Sequence, residues 1–390
     1  MPHILIRVDF NVPIENGIVV DDQRIQAALP TIQTYLTDNN SVMLVTHLGR
    51  PKNFDPALSV KPIQKHLSHL LNRSVELASD WPKPKTYQPG RLYLAENVRF
   101  LEGETKNDTD LAQKMAQGVD LFVNEAFAVA HRQHASNFGI QTYLHDDKCV
   151  LGALYQKECQ RIGQVFNHSK KTKIAIVGGS KMDTKMGFLR HLLNQVDILI
   201  LGGGIANTCL KAKGYEIGIS IYDADHIALA NELLDEAKKH QKTIVLPHDV
   251  CVARPNTLEN TVTKLVENVQ ADEAIYDLGP SSVKTILSLI DDASEVLWNG
   301  PVGWFERTEF SNGTLSIAKA LDITSASVLV GGGDSLRALA MINAKEISMP
   351  DGHSKPDIFK YASTGGGAFL YLLEHGAFPE PQRLSIGGVS

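Results

Sequence analysis

Four glycine clusters, each at the end of a short apolar run, constrain the fold of this chain more than any other feature of its sequence. The clusters occupy residues 178–179, 202–204, 331–333 and 365–367. An apolar strand that stops at glycines and leads into a helix is typical of α/β proteins. Because the carboxyl ends of parallel strands meet at one edge of a sheet, the four turns predict one ligand crevice in the C-terminal half.

The first of these turns lies in the stretch KTKIAIVGGSKMDTKMG at 171–187, where Lys181 and Lys185 precede a predicted helix at 186–194. Glycines let the backbone approach a ligand, a helix start offers N–H groups, and lysines add positive charge, so the stretch suits a phosphate. A plain strand-to-helix turn with two solvated lysines fits this stretch equally well; the repetition of glycine turns favours the phosphate site. The spacing is neither a Walker A loop nor GxGxxG, which argues against a nicotinamide-dependent dehydrogenase.

Length and composition set the outer bounds of the fold and of its partners. With 390 residues the chain is long enough for two domains. It is 43% hydrophobic and 21% charged with a net charge of −6, so no general positive surplus favours nucleic acid or a membrane. The four cysteines show no CxxC spacing, and the sequence shows no signal-peptide pattern and no run that suits a membrane span. These features predict a reducing, cytoplasmic location.

The N-terminal half places four arginines where predicted strands end or a predicted helix begins. They are Arg24, at the start of a helix at 21–35, and Arg50, Arg99 and Arg132, after strands at 41–45, 91–95 and 119–123. Each arginine alone is more simply interpreted as a surface ion pair. Together at one sheet edge, the four predict a site for phosphate or carboxylate, which guanidinium groups bind bidentately.

Polar side chains accompany these arginines. Asp9 and Asn11, at the end of a predicted strand at 4–9, suit a hydroxylated anion, although a structural ion pair with an Asx turn is an equal alternative. His131 and His134 have a spacing that could suit a metal, but no nearby carboxylate or cysteine completes a ligand set. Hydrogen bonding beside a phosphate is therefore the favoured interpretation of the two histidines.

The C-terminal half offers groups for a nucleotide. In the loop WNGPVGWFE at 298–306, Asn299 and Glu306 could hold a nucleoside, with the glutamate accepting from ribose hydroxyls; a purely structural loop is the alternative. Asp334, beside the glycines of GGGDS, is the best candidate to meet a nucleotide-bound Mg²⁺.

Other elements are predicted with less direct bearing on function. They are a helix at 150–166, a polar domain boundary at 167–173, Asp249 at the end of a strand, and a helix at 281–290 capped by Ser281 or Ser282.

Ten motifs, taken in order, resemble those of the phosphoglycerate kinase family. They are RVDFNVP, THLGRP, ENVRF, the AHR turn, VGGSKMDTK, LGGGIANT, LPHD, WNGPVGWFE, GGGDS and STGGGA. The resemblance implies two Rossmann-like, three-layer αβα domains with mainly parallel sheets, facing each other across a hinged cleft. It places a 3-phosphoglycerate domain at 1–166 and a nucleotide domain at 167–372, with the tail from about 373 to 390 packed back on the first domain.

The same resemblance implies the site residues. The residues implied for the acid are Asp9, Phe10, Asn11, Arg24, His47, Leu48, Gly49, Arg50, Arg99 and Arg132. Those implied for the nucleotide are Lys185, Asn299, Glu306, Gly332, Gly333, Asp334 and Ser335, with Mg²⁺ at Asp334. Those implied for phosphoryl transfer are Arg24, Lys181, Gly365, Gly366 and Gly367. It further implies a monomer that moves a phosphoryl group reversibly between 1,3-bisphosphoglycerate and ADP, and partners limited to such small molecules.

The chain departs from the family pattern at a few positions. The lead-in to the first strand is short, Glu125 and Ala128 stand where Asp and Gly are common, and Phe369 and Tyr371 follow the last glycine turn. The implied chemistry still fits the residues, because a carboxylate acceptor is already ionised at neutral pH and needs no general base. A non-enzymatic protein that binds a phosphorylated acid would keep the arginines but would have no use for Lys181, Lys185 and GGGDS.

Overall fold

The computed structural model describes residues 1–83, 86–163, 172–342, 360–363 and 365–379. These residues form two compact units. The first unit contains Met1–Gln160 and the described residues from Ala377 onward, and the second contains the described residues of Arg161–Gly376. The predicted division between residues 166 and 167 falls in a stretch, 164–171, that lies outside the described residues.

The first unit is built on a parallel sheet of six strands in the order β5-β6-β4-β1-β7-β8. Its elements in chain order are β1 (His3–Arg7), β2 (Ile14–Glu15), β3 (Ile18–Val19), α1 (Gln23–Tyr35), β4 (Ser41–Val45), α2 (Lys61–Leu70), β5 (Val75–Ala78), β6 (Leu92–Ala95), α3 (Thr109–Ala116), β7 (Leu121–Asn124), β8 (Cys149–Leu151) and the start of α4 (Ala153–Gly163). Strands β2 and β3 form a separate antiparallel pair.

Helices cover both faces of this sheet, which is why its central strands β1, β4 and β6 are largely apolar and buried. Ile6 of β1 belongs to one core cluster with Ile25 of α1 and Ile63 of α2. The neighbouring Leu5 points to the other face and packs in a second cluster with Leu111 of α3. The unit is therefore a three-layer α/β structure, as the sequence predicted. Phe378, in the segment from Ala377 that belongs to this unit, packs edge-on against Phe127 and Tyr155.

The second unit repeats this plan with a six-stranded parallel sheet in the order β11-β10-β9-β15-β16-β17. Its elements are β9 (Lys173–Val177), α5 (Met186–Gln195), β10 (Ile198–Leu201), α6 (Gly203–Ala212), α7 (Ile227–Lys239), β11 (Thr243–Val245), β12 (Asp249–Arg254), β13 (Thr257–Leu265), β14 (Ala274–Leu278), α8 (Pro280–Asp292), β15 (Glu295–Asn299), α9 (Asn312–Ile323), β16 (Ser327–Gly331), α10 (Gly333–Met341), β17 (Lys360–Ser363) and α11 (Gly367–His375). Strands β12, β13 and β14 form a small antiparallel sheet that was not anticipated from the sequence.

The core of the second unit includes a large cluster centred on β9 and β15. Ile176 and the fully buried Trp298 pack there with Val283 of α8 and Ile317 of α9. The four glycine clusters follow β9, β10, β16 and β17, all in the same parallel sheet. Because parallel strands end at one edge, the predicted grouping of these turns at one sheet edge is confirmed.

The predicted helix at 150–166 is wrong at its start. Val150 lies in β8, which pairs with β7, and α4 begins only at Ala153. A short apolar run cannot be assigned to strand or helix by its pattern alone, and here the pairing with β7 decides. Residues 164–166 of the predicted helix, and 167–171 of the predicted boundary, lie outside the described residues.

The predicted cap of the helix after residue 280 is also wrong. Helix α8 begins at Pro280 with Gly279 as its N-cap, so Ser281 and Ser282 lie inside the helix. Asp249, which begins β12 rather than ending a strand, supplies the cap from another element. Its carboxylate accepts from the Ser281 N–H at 3.0 Å and the Ser282 N–H at 2.6 Å. A cap that comes from a distant segment leaves no local sequence signal.

None of the helices in the described part of the chain is long and apolar enough to cross a membrane.

Candidate functional site

The first candidate site lies at the carboxyl edge of the first sheet. Strands β6, β4, β1 and β7 are neighbours, so the segments that follow them come together. Asp9 accepts from the Arg24 guanidinium, with Oδ2 2.5 Å from Nη1, and its other oxygen lies 3.7 Å from Nδ1 of His47. Residues separated in sequence by a helix and a strand therefore meet at this edge.

Asn11 makes the structural contacts that the sequence offered as one alternative. Its N–H donates to Oδ1 of Asp9 at 3.3 Å, which is the Asx-turn arrangement. Its side-chain oxygen accepts from the Gly49 N–H at 2.8 Å and so ties the first strand end to the loop after β4. The ion pair of Asp9 with Arg24 and the turn between Asp9 and Asn11 are both present, and both shape this edge of the site.

Phe10 and Leu48 lie at this edge through their backbones, because both side chains are buried in the core. The Phe10 N–H donates to Oγ1 of Thr46 at 2.9 Å, and the Leu48 N–H donates to Oδ1 of Asn97 at 3.1 Å. These two residues therefore shape the site by fixing the backbone of the loops after β1 and β4.

Four arginines lie close enough at this edge to repel one another. Arg99 donates to the Gly49 carbonyl through Nη1, while its Nε is buried without a hydrogen-bond partner among the described residues. Burial, and then the nearby charges of Arg132, Arg7 and Arg50, lower the pKa of Arg99 to about 10. Burial and Arg50 also lower the pKa of Arg132. Like charges held this close favour an anion that would relieve their repulsion.

The histidines of this site are neutral at pH 7. Burial, followed by Arg7 and other arginines, lowers the pKa of His47 far below its ordinary value. Burial and neighbouring charges lower the pKa of His131 and of His134 to about 4. Neutral imidazoles can donate and accept hydrogen bonds without adding to the positive charge.

A buried support beneath this site was not predicted from the sequence. Arg7 is buried at the end of β1 and donates to Oγ of Ser136 at 2.9 Å. Ser136 in turn donates to the buried Glu104 at 2.6 Å through Oγ and at 2.9 Å through its N–H. Burial raises the pKa of Glu104, and the charge of Arg7 opposes that rise. An arginine that closes an apolar strand was the available signal, but its partners could only be found in the structure.

The second candidate site lies at the carboxyl edge of the second sheet, where Lys185 joins two strand ends. Its Nζ donates to the Gly178 carbonyl at 2.6 Å and to Oδ1 of Asn299 at 3.0 Å. Burial lowers its pKa to about 8, and the charge of Asp334 opposes the shift. Asn299 also donates to the Gly331 carbonyl at 2.9 Å, and Ser335 accepts from the Gly300 N–H at 2.7 Å.

Glycine is required at two points of this edge. A Cβ on Gly178 would lie 1.8 Å from the Pro301 carbonyl oxygen, so the two loops touch through their backbones. Gly332 has a φ of 95°, in the region that side chains disfavour, and it is the N-cap of α10. Gly333 follows as the first residue of that helix, which leaves N–H groups facing outward for an anion.

Asp334 and Glu306 are exposed and share one counter-ion. Nη1 of Arg337 lies 3.7 Å from Oε1 of Glu306 and 3.6 Å from Oδ1 of Asp334. Hard, accessible carboxylate oxygens beside a phosphate-type helix start are the donors that Mg²⁺ uses when it is bound together with a nucleotide. The residues present therefore fit the predicted metal at Asp334.

The residues predicted for phosphoryl transfer are distributed over both units. Lys181 is exposed on the turn between β9 and α5. Gly365 donates its N–H to Oγ of Ser363 at 3.1 Å, Gly366 is the N-cap of α11, and Gly367 begins that helix. Arg24 belongs to the first unit, and Lys181 and the three glycines to the second.

A cavity of about 470 Å³ in the second unit is bordered by the glycine turns after β9 and β10. Glu306 and Asp334 line it at one side, and apolar side chains line much of the rest, including Ile219, Ile221 and Trp304. These three are 53%, 69% and 39% exposed, which is unusual for large apolar side chains and marks a binding surface. Ile219 and Ile221 were not predicted as site residues, because isolated apolar residues in a loop form no recognisable motif.

Asp277, which also lines the cavity, provides a stability test. Its Oδ2 accepts from the Gly313 N–H at 2.8 Å, while Oδ1 is buried without a hydrogen-bond partner among the described residues. Burial raises its pKa from 3.8 to about 7. Between these values the folded protein holds a proton that the unfolded chain has released, so this residue makes the free energy of unfolding fall as pH rises through that window.

Asp277→Asn should remove this pH dependence. We expect the melting temperature of the variant, relative to the wild type, to rise between pH 5 and pH 8, because the amide keeps the acceptor but never ionises. Thermal unfolding followed by circular dichroism measures this, with the exposed Asp291→Asn in α8 as control. A difference between variant and wild type that stays constant over the whole pH range would contradict the interpretation.

The chain is similar to phosphoglycerate kinases over nearly its whole length. The family model described as phosphoglycerate kinase matches residues 2–376. A phosphoglycerate kinase of Francisella tularensis subsp. tularensis is 42% identical over 380 residues, covering 96% of this chain and 93% of the relative. The solved phosphoglycerate kinase of Coxiella burnetii superposes with a TM-score of 0.84 at 40% identity, covering 96% of this chain and 93% of that one. That of Pyrococcus horikoshii OT3 gives a TM-score of 0.76 at 27% identity with the same two coverages. This chain belongs to the phosphoglycerate kinase family.

Proposed function

We infer that this protein catalyses the reversible transfer of a phosphoryl group between 1,3-bisphosphoglycerate and ADP, giving 3-phosphoglycerate and ATP. It is then an ATP:3-phosphoglycerate 1-phosphotransferase. Membership of the family supports this reaction. The close approach of the like charges of Arg99, Arg132 and Arg50 supports the assignment of the acid to the first unit. A charge cluster of this kind is costly without an anion and suits a substrate that has both a phosphate and a carboxylate.

The nucleotide is assigned to the second unit. We propose that the base enters the cavity lined by Ile219, Ile221 and Trp304, and that Glu306 accepts from the ribose hydroxyls. Lys185 and the start of α10 then face the phosphates. Asp334 would hold Mg²⁺, which supplies charge neutralisation to the phosphate oxygens when it is bound.

The chain's own groups would act by position and charge. The acceptor carboxylate of 3-phosphoglycerate is ionised at pH 7, so no side chain has to remove a proton from it. Arg24 and Lys181 would stabilise the negative charge of the moving phosphoryl group, together with the N–H groups of residues 365–367. Arg24 is held in place by Asp9. Lys181 is exposed and is held through the turn that carries it.

A protein that only binds the acid is the second candidate. It would account for the arginines, but it would leave unexplained why the half-buried Lys185 lies between two strand ends with its pKa lowered to about 8. Holding a lysine there is unfavourable without an anionic ligand.

A coupled assay tests the reaction directly. Purified protein with ATP, Mg²⁺ and 3-phosphoglycerate should form ADP at a rate that depends on all three. ADP formation that is independent of 3-phosphoglycerate would exclude the proposed reaction, and acid binding without any turnover would favour the binding protein. Omitting Mg²⁺, or adding a chelator, tests the metal separately.

We further propose that the two units hinge and close when both ligands are bound. In-line transfer needs reacting atoms about 3–3.5 Å apart and a site from which water is excluded, although the two ligands are assigned to different units. We place the hinge at 150–173, a segment that includes β8 and α4; its residues 164–171 lie outside the described part of the chain.

Small-angle scattering checks this closure. With the unreactive pair MgADP and 3-phosphoglycerate we expect the radius of gyration to fall, and with either ligand alone we expect a smaller change, because only the ternary state gains all contacts. A radius that stays the same with both ligands would argue against closure as the productive step.

A further inference from the structure

A hydrogen-bond network outside the candidate nucleotide and acid sites fixes the turn that carries Lys181. Oδ2 of Asp223 accepts from the Met182 N–H at 2.9 Å and from the Asp183 N–H at 3.3 Å. These are the two residues that follow Lys181 in the chain. The 3₁₀ turn Asp183–Lys185 has no side-chain cap of its own, so Asp223 caps it from a distant segment.

Asp223 is itself held from two sides. Nδ1 of His226 lies 2.7 Å from Oδ1 of Asp223, and because a carboxylate only accepts, the imidazole carries its proton there. The Asp223 N–H donates to Oγ1 of the buried Thr208 at 2.9 Å, and that hydroxyl donates to the Gly204 carbonyl at 2.7 Å. The side chain of Asp223 is only 13% exposed.

The network also connects the turn with the cavity. Ile219 and Ile221, which line the cavity, belong to the same short segment as Asp223. The Ile221 carbonyl accepts from Nδ2 of the buried Asn207 at 2.9 Å, so this segment is anchored to α6 next to Thr208. One segment therefore borders the cavity at one end and caps the Lys181 turn at the other.

We propose that Asp223 is a positioning residue that holds Lys181 in place for phosphoryl transfer, with His226 orienting the carboxylate; the inference rests on the proposed function. A lysine on a glycine-containing turn has a long side chain and a backbone with few intrinsic restraints. Its charge is effective in the transition state only if the backbone beside it is already fixed. Asp223 supplies that restraint without touching the substrate.

The position of Met182 supports this assignment. Its side chain is fully buried, whereas Lys181 and Asp183 on either side are exposed. The buried side chain of Met182 anchors the turn in the core, and Asp223 accepts a hydrogen bond from the Met182 N–H. Together they leave Lys181 with little freedom except in its own side chain.

The first test is a set of variants in the coupled assay. Asp223→Ala should lower kcat by about 10²-fold, the scale of a misplacement of roughly 1 Å, and should leave the KM for ATP little changed. Asp223→Asn keeps an oxygen that can accept the two N–H groups and should recover most of the activity. Asp235→Ala, an exposed carboxylate in α7, is the matched control and should behave like the wild type.

A double-mutant cycle shows whether Asp223 acts through Lys181. In a Lys181→Ala background, Asp223→Ala should cost little further activity, because the group that it positions is absent. The same loss of kcat in both backgrounds would overturn the proposal, as would an Asp223→Ala variant with unchanged kcat. Urea unfolding of each variant separates these results from a general loss of stability.

Hydrogen exchange provides a readout that does not depend on activity. The amides of Met182 and Asp183 should exchange faster in Asp223→Ala than in the wild type, with Asp223→Asn in between. Unchanged exchange would refute the restraint even if kcat fell. If the wild-type protein showed no transfer to 3-phosphoglycerate, the proposed reaction would fail while the exchange data still decided whether Asp223 fixes the turn.

Discussion

Lys181→Ala should lower kcat by about 10²–10³-fold, the scale observed when one donor to a developing negative charge is lost. Lys181 is exposed on the turn after β9, so its removal leaves no cavity and no unpaired buried group. Its charge is expected to act on the phosphoryl group in transit rather than on bound substrates. The KM values for ATP and 3-phosphoglycerate should therefore change much less than kcat.

Steady-state kinetics at saturating substrates measure this effect, and Lys239→Ala at the exposed end of α7 is the control for loss of a surface lysine. Isothermal titration with MgADP adds a check on binding. If Lys181→Ala raised the KM for ATP in proportion to its loss of kcat/KM and left kcat intact, Lys181 would be a ground-state binding residue.

Arg99→Ala should show the opposite pattern, with a loss of roughly 10- to 100-fold in affinity for 3-phosphoglycerate and a small change in kcat. This is the effect expected from losing one charge-assisted hydrogen bond of about 1.5–3 kcal/mol. Burial and then the charges of Arg132, Arg7 and Arg50 lower the pKa of Arg99, and its buried Nε has no hydrogen-bond partner within the described residues. The guanidinium is therefore available for a bound anion.

Removing Arg99 also relieves repulsion in the unliganded protein, which partly offsets the loss of its bond to the Gly49 carbonyl. We therefore expect the melting temperature without ligand to change little, while the stabilisation produced by 3-phosphoglycerate becomes smaller. Arg91→Ala, which removes an exposed arginine paired with Glu76, is the matched control. Equal affinity for 3-phosphoglycerate in Arg99→Ala and the wild type would remove Arg99 from the acid site.

The sequence predicted much of the parallel framework because the apolar runs are local and strong. Strand β4 was placed at its observed bounds, and the helix predicted at 186–194 matches α5 to within one residue. The glycine turns of the second unit were also assigned to one sheet edge correctly, since strand, turn and helix follow one another directly in the chain. The antiparallel strands β12 and β13 were missed, because their alternation is weak and β13 is largely exposed.

What the sequence by itself determined is the chemistry available at each strand end: arginines in one half, and glycines, lysines and carboxylates in the other. Only the tertiary structure decided how these groups are restrained. Asp249 caps α8, Asp223 caps the Lys181 turn, and Glu104 supports Arg7 through Ser136, in each case across a long separation in the chain. A hydrogen bond between distant segments depends on the packing of whole elements, so it has no local pattern that the sequence could reveal.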